Sequence, residues 1–426
     1  MSRQCARSDR SLDEYKPTPA LQQNQRHTFM PPSSPARFEV ITSEQSFAAL
    51  DGSWDELVRT MIRPSPFLLH SWLLEWWRHF GHGAQLAVHV AYREGRLVGA
   101  VPLFVRLRLG LQIAEFLGSR ESALADVLLA EGEEPSIALH LMDRIRGLVD
   151  LVDLFGLHAQ SRLTVALGAR VQHIERVEAP VLDLAGGWQT AYRRRMTSKS
   201  RSLHRRRKRQ LAELGTVDLA IARTELDLRR ALEEAFRLHS LRWRGRPDHS
   251  SFGTPTGQAF HRAALKSLTK DNIARIATLN LDGRAIAFHY YFVFCDRMYV
   301  HRLAFDPAFA RYSPGLICTL AAVEAAAAEG VHRVEFLGGG ERYKLELADH
   351  LEPLYQSLGL ARTPVARAFV MASVASIKAK LRLKRSSTFF RFYYTGLAAA
   401  RGVATSLLNR DELSSASTSS GGDETR

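Results

Sequence analysis

The sequence predicts an α/β protein of the α+β kind: two similar halves, each a mixed, mostly antiparallel sheet flanked by helices. Three observations carry this. At 426 residues the chain exceeds what one core comfortably holds, so two domains plus tails are expected. Short alternating strands joined by two-residue turns recur in both halves, interleaved with helix-length amphipathic stretches. The string Gly95 to Ala100 (GRLVGA) echoes Gly283 to Ala287 (GRAIA), each at a hairpin bend, and Glu115 to Gly118 repeats Glu335 to Gly338 (EFLG), which supports duplication of one fold. The expected organisation is a disordered tail over 1–36, a first half over 37–185 and a second over 186–365. A basic and aromatic helical extension over 366–412 and a disordered tail over 413–426, rich in Ser, Thr and Gly, complete it.

In the first half, Phe38 to Thr42 reads as a strand and Ser46 to Met61 as a helix, with a turn at Ser65 to Phe67. Ser71 to Phe80 is a helix whose tryptophans, Trp72 and Trp76, either stack on a ligand or fill a core face. Leu86 to Tyr92 and Leu97 to Val105 form a hairpin across Glu94 and Gly95. Strands over Gln112 to Leu117 and Val127 to Ala130, a helix from Pro135 to Val149 and a strand from Leu151 follow. The second half repeats the scheme. Leu226 to Arg242 and Gly257 to Lys270 are helices, and Ile273 to Asn280, Ala285 to Phe294 and Met298 to Phe305 form an antiparallel meander.

Composition narrows the class. No run of 18 apolar residues exists, the alanine-rich stretch being broken by Glu324 and Glu329, so a membrane span is not expected. The N-terminus has no apolar signal-peptide core. Cys5, Cys295 and Cys318 lie far apart, which points to reduced thiols in a cytoplasmic setting and argues against a zinc site. The net charge of +14 is concentrated between Arg193 and Arg209, where ten Lys or Arg stand without an acid. That block can be a solvated linking helix, contact a cofactor's phosphate, or bind RNA, an anionic lipid surface or an acidic acceptor. It lacks the aromatic residues on which bases stack.

The segment from Asp306 to Gly315 connects the strand over Met298 to Phe305 with a helix over Leu316 to Glu329. A helix N-terminus presents unpaired amides and partial positive charge, so a strand, a Pro/Gly turn and a helix make an anion site. Arg311, Tyr312, Ser313, Pro314, Gly315 and Leu316 are its expected lining, with Arg311 as a cation at the rim. A second strand, Val331 to Leu337, runs into Gly338, Gly339 and Gly340, which suggests a cleft between neighbouring strands that admits an extended, phosphate-bearing cofactor.

With these features the chain resembles the GNAT acyltransferases, in the branch of CelD-like and Fem-type proteins that carry two GNAT-like halves. The resemblance rests on Ser65 to Phe67, Trp72, Trp76, Trp77, Gly95 to Gly99 and Val101 to Leu103 in the first half. In the second half it rests on Ser198 to Arg201, Arg242, Trp243, Leu281 to Gly283, Tyr312 to Gly315, Tyr343 and Lys344. It implies acetyl-CoA or another acyl-CoA as co-substrate, no metal, and acetyl transfer to an amine, with cell-surface polysaccharide or envelope metabolism as the setting. Backbone amides around Leu303, Ala304 and Phe305 are placed to hold the oxyanion. Tyr343 is the expected proton donor to the leaving thiolate, and Glu341 and His301 are the candidate bases, against solvated-loop and core readings. His301 is expected on the same strand face as Leu303 and Phe305. His289 and Tyr291 are candidates for the acceptor pocket, and Lys344 pairs with an acid or a phosphate or is surface charge. Two alternatives remain: a Fem-type ligase that takes aminoacyl-tRNA through the 193–209 block, and a non-catalytic nucleic-acid or lipid-binding protein. A location peripheral to the inner membrane face is expected if the basic segments meet anionic lipid.

Overall fold

The computed structural model describes residues 34–385 apart from 120, 134, 245–249 and 340. The expected tails, except residues 34–36, and the aromatic run Phe389 to Tyr394 lie outside the described residues. The chain order opens with β1 (Arg37–Ile41), α1 (Glu44–Ala48), α2 (Asp51–Thr60), α3 (His70–Phe80), β2 (Gln85–Arg93), β3 (Arg96–Arg108) and β4 (Leu111–Phe116). Next come β5 (Leu128–Leu129), α4 (Pro135–Leu148), β6 (Leu151–His158), α5 (Arg162–Leu167), β7 (Val171–Val177) and β8 (Pro180–Asp183). The second half brings α6 (Trp188–Arg195), α7 (Ser198–Ala212), β9 (Val217–Ala222), α8 (Glu225–Trp243), α9 (Pro255–Lys270), β10 (Ala274–Leu281), β11 (Arg284–Phe294) and β12 (Arg297–Phe305). It closes with α10 (Pro314–Ala328), β13 (Arg333–Glu335), α11 (Arg342–Leu347), β14 (His350–Leu351), β15 (Leu354–Gly359) and α12 (Pro364–Arg385).

Two sheets follow one plan. The first runs β1-β2-β3-β4-β6-β15-β7 with β5 attached to β3, and the second runs β9-β10-β11-β12-β13-β8-β14. In each, four antiparallel strands meet a fifth in parallel, β4 with β6 and β12 with β13, and two antiparallel strands close the row. The hairpin echo is a true equivalence, because Glu94 and Gly95 (φ 51° and 79°) make the same left-handed turn as Asp282 and Gly283 (φ 49° and 77°). The EFLG repeat is not: Glu115 is on β4, whose counterpart is β12, whereas Glu335 is on β13.

The boundaries at 185 and 365 do not separate the sheets. β15, from late in the chain, pairs with β6 and β7 in the first sheet, while β8 pairs with β13 and β14 in the second. Each sheet therefore holds a strand from the other side of the expected divide. The helix expected over Ser46 to Met61 is broken into α1 and α2 around Ala49 and Leu50.

Aromatic packing joins the halves. Trp72 of α3 meets Phe260 of α9 and Phe292 of β11 edge-on at 4.8 and 5.6 Å, and its indole donates to Ser122 Oγ at 2.9 Å. Trp72 and Trp76 are thus core residues, 0% and 3% exposed. A buried ionic seam runs alongside: Glu335, 1% exposed, sits 3.3 Å from Arg63, 3.4 Å from Arg297 and 2.7 Å from Arg333. The α12 helix lies on the first sheet through Ala366, Val370 and Val374. No helix among the described residues is long and apolar enough to cross a membrane.

Candidate active site

The site begins with an interruption in the second sheet. β13 pairs with β12 only from Arg297 to Tyr299; beyond that point β12 continues to Phe305 while the partner chain leaves the ladder. The strand expected over Val331 to Leu337 is therefore three residues long, with Leu337 in the left-handed region at φ 53°. Amides of β12 past Tyr299 face a gap on that side, where groups that receive no ladder bond can meet a ligand.

A 3-10 turn (Pro307–Tyr312) carries the chain from β12 to α10, stapled by Asp306, whose carboxylate accepts from the Ala308 amide at 3.0 Å. Ser313 adopts the left-handed conformation (φ 53°, ψ 52°), an uncommon one for a residue with a Cβ, and Pro314 opens the helix without an N–H to satisfy. Among the described residues no hydrogen bond takes the amides of Gly315 or Leu316. Gly315 is required by closeness: a Cβ there would stand 3.0 Å from Phe305 Cδ1.

These parts border one cavity of about 470 Å³. Its walls are Leu303 and Phe305 of β12, Ser313, Gly315 and Leu316 at the head of α10, Ser200, Leu203, His204 and Arg207 of α7, and Arg342, Tyr343 and Glu346 of α11. The basic block and the helix-end anion site thus share one cleft, an arrangement that suits contact with a cofactor's phosphate, one of the options the sequence left open for that block. The Tyr343 hydroxyl is buried without a hydrogen-bond partner among the described residues, and burial raises its pKa, so it is held protonated.

Several expected residues fall elsewhere. Arg311 does not line the cavity; its guanidinium stacks 4.6 Å over the Tyr312 ring and donates to that hydroxyl. Ala304 points to the opposite face, into the core shared with α8 and α9. His301 is also on that opposite face. Tyr290 pairs with Arg302 and Tyr291 with Val300, so His301 is the extra residue of a β-bulge, and the bulge breaks the alternation that would have set it beside Leu303. Its ring packs among Phe67, Trp72 and His261 instead.

His289, Tyr291, Glu341 and Lys344 complete the account. His289 and Tyr291 stack at 5.5 Å, fully buried, and burial pushes the His289 pKa down to about 3, so the ring is neutral. They lie beneath the cleft, since His289 is the register partner of Leu303. Lys344 is not surface charge: 4% exposed, it donates to the Gly338 carbonyl at 2.6 Å and pairs with Glu341 at 2.9 Å. That contact ties the glycine turn to α11 and occupies the Glu341 carboxylate.

Among the described residues, the corresponding gap in the first sheet is closed. There β4 and β6 also part after three pairs, Ile113 to Glu115 with Leu151 to Asp153. The chain itself fills the opening: the Ala125 amide donates to Gly156 O at 3.2 Å, and a Cβ on Gly156 would be 3.0 Å from Ala123 O.

A sheet that splays beside a helix N-terminus, in a chain that repeats its sheet plan, defines a tandem acyltransferase-type fold. Residues 198–345 match the acetyltransferase (GNAT) domain model, a span that begins with α7 and ends one residue after Lys344. Residues 198–345 are thus similar to a GNAT domain, and the two-sheet plan of the chain is likewise found in solved structures of that fold. FemX is similar to it in structure, with a TM-score of 0.52 at 11% identity over 75% of this chain and 96% of that one. The C-terminal DUF2156 domain of a putative lysylphosphatidylglycerol synthetase from Agrobacterium fabrum has a TM-score of 0.48 at 13% identity, covering 78% and 97%. A tandem GNAT protein from the clavulanic acid biosynthesis pathway has a TM-score of 0.45 at 12% identity, covering 77% and 100%. No curated protein matches by sequence.

Proposed function

We propose that the chain transfers an acyl group, acetyl in the simplest case, from a coenzyme A thioester to an amine. The observation that carries this reading is the cavity in which the free amides of Gly315 and Leu316 meet Arg207 and Tyr343. The pyrophosphate would rest on the start of α10, Arg207 and His204 would meet the nucleotide phosphates, and the pantetheine arm would follow the gap beside β12. The acceptor nitrogen then forms a bond to the acyl carbon, and β12 amides near Leu303 hold the oxyanion. The C–S bond breaks as Tyr343 gives its proton to the thiolate, and the proton that the nitrogen sheds as the amide forms restores the Tyr343 hydroxyl. The family resemblance supports an amino sugar or envelope intermediate as acceptor, and the distant cysteines support a cytoplasmic setting. Calorimetric titration with coenzyme A tests the reading: saturable binding that Arg207→Glu weakens supports it, and no heat at millimolar coenzyme A sinks it.

A second reading replaces the thioester with aminoacyl-tRNA. It is favoured by α7, which lines the cleft with His204 and Arg207 while exposing Lys199, Arg205, Arg206, Lys208 and Arg209 outward. A bound RNA would show affinity falling steeply with salt, and a flat salt dependence would exclude it.

A further inference from the structure

Glu121, His261 and His301 are brought together from the loop after β4, from α9 and from the bulge of β12. One carboxylate oxygen and one nitrogen from each ring lie within 4.8 Å of one another. His261 is 0% exposed, its Nε2 faces a Glu121 oxygen at 3.4 Å, and among the described residues its Nδ1 and the buried His301 Nε2 have no hydrogen-bond partner. Leaving two imidazole nitrogens dry and unpaired costs about 1–3 kcal/mol each, so the cluster is either a persistent burden or a set of ligands waiting for an electron-pair acceptor.

We propose that Glu121, His261 and His301 bind one divalent transition-metal cation of the zinc type. Two imidazoles and a carboxylate are a zinc donor set, and ligands bonded at about 2.0–2.1 Å in a tetrahedron sit roughly 3.4 Å apart. Glu121 Oε2 and His261 Nε2 are 3.4 Å apart. The other carboxylate oxygen accepts from Ser251 Oγ, the kind of outer hydrogen bond that fixes a ligating carboxylate. Burial raises the Glu121 pKa, but His261, Arg302 and Ser251 outweigh it and keep the group ionised; burial lowers those of His261 and His301 and keeps both rings neutral. Arg302 stands 3.2 Å from Glu121 Oε2 and competes with a cation for it; being 24% exposed, its side chain can swing toward solvent. The ion would clamp the first half to the second at the strand that lines the donor cleft, whatever that cleft binds.

The test uses the full chain without a histidine tag, stripped with a chelator and titrated with zinc chloride, with cobalt as a spectroscopic probe. One zinc per chain is expected, with a tetrahedral cobalt absorption band and a melting temperature that rises with zinc. His301→Gln and Glu121→Gln should each weaken binding at least ~10-fold, as loss of a ligand does. Arg302→Gln should tighten it several-fold, an increase that misfolding cannot mimic. Absence of saturable zinc binding overturns the proposal, and so does zinc binding that His301→Gln and Glu121→Gln leave unchanged.

Discussion

Replacing Gly315 with aspartate separates what helps a helix from what helps an anion. Gly315 is the second residue of α10, and a carboxylate there interacts favourably with the helix dipole by about 0.3–1 kcal/mol. Its Cβ, however, arrives 3.0 Å from Phe305 Cδ1 and 3.5 Å from Leu303 Cδ1, so the ring must give by a few tenths of an ångström. Such overpacking costs about 1–3 kcal/mol, leaving a net destabilisation of about 1–2 kcal/mol. A phosphate held on the same amides would stand about 5 Å from the new charge, and at an effective dielectric constant near 20 the repulsion is about 3 kcal/mol. That is a loss of roughly 200-fold in affinity. Titration with coenzyme A and urea melts of wild type, Gly315→Ala and Gly315→Asp form the assay, because alanine shares the steric cost and lacks the charge. If Gly315→Asp binds coenzyme A as tightly as Gly315→Ala, the helix-end site is wrong.

Tyr343→Phe should not lower stability, since the buried hydroxyl has no partner to lose, should leave coenzyme A affinity unchanged, and should lower kcat roughly 100-fold; an unchanged kcat removes it as the acid. Glu335→Gln strips the charge facing Arg63, Arg297 and Arg333 and should cost about 3–5 kcal/mol in urea unfolding, with a loss under 1 kcal/mol speaking against the seam as a joint. Burial lowers the pKa of His289 to about 3 and of His89 to about 4, while in the unfolded chain both titrate near 6.5. Between those values the unfolded state binds more protons, so stability falls as pH drops below about 6.5, by up to about 1.4 kcal/mol per unit for each ring. His89→Gln should reduce that slope between about pH 6.5 and 4 in denaturant midpoints measured from pH 7 to 4, and an identical slope would refute the assignment.

Local signals in the sequence reported local structure well. The hairpin bends at Glu94 and Asp282, the meander of β10 to β12 and the Pro/Gly opening of α10 are where turn chemistry and alternation place them. What stayed hidden depends on distant pairing or on single irregularities. Nothing near Leu354 says that it will pair with His158 and Val177, because period-two alternation carries no partner identity. One bulged residue moved His301 across the sheet and made the expected base a neighbour of Glu121. Arg311 looked free in the sequence and is stacked on the next residue. The closeness of α7 to the head of α10 is a matter of packing, and the basic run offered only its charge as a hint.

The placement of β15 has a consequence for biosynthesis. The strands β6 and β7 are translated by Val177, yet the segment that fits between them, Leu354 to Gly359, leaves the ribosome some 180 residues later. During that interval the nascent chain presents two open sheet edges, the situation in which strands recruit the wrong neighbour. Cutting the gene at the apparent midpoint would make this delay permanent: an isolated N-terminal piece would lack the strand that joins β7 to the rest of its sheet, and an isolated C-terminal piece would lack β8. The two halves look like repeats, but the polypeptide matures only as a whole.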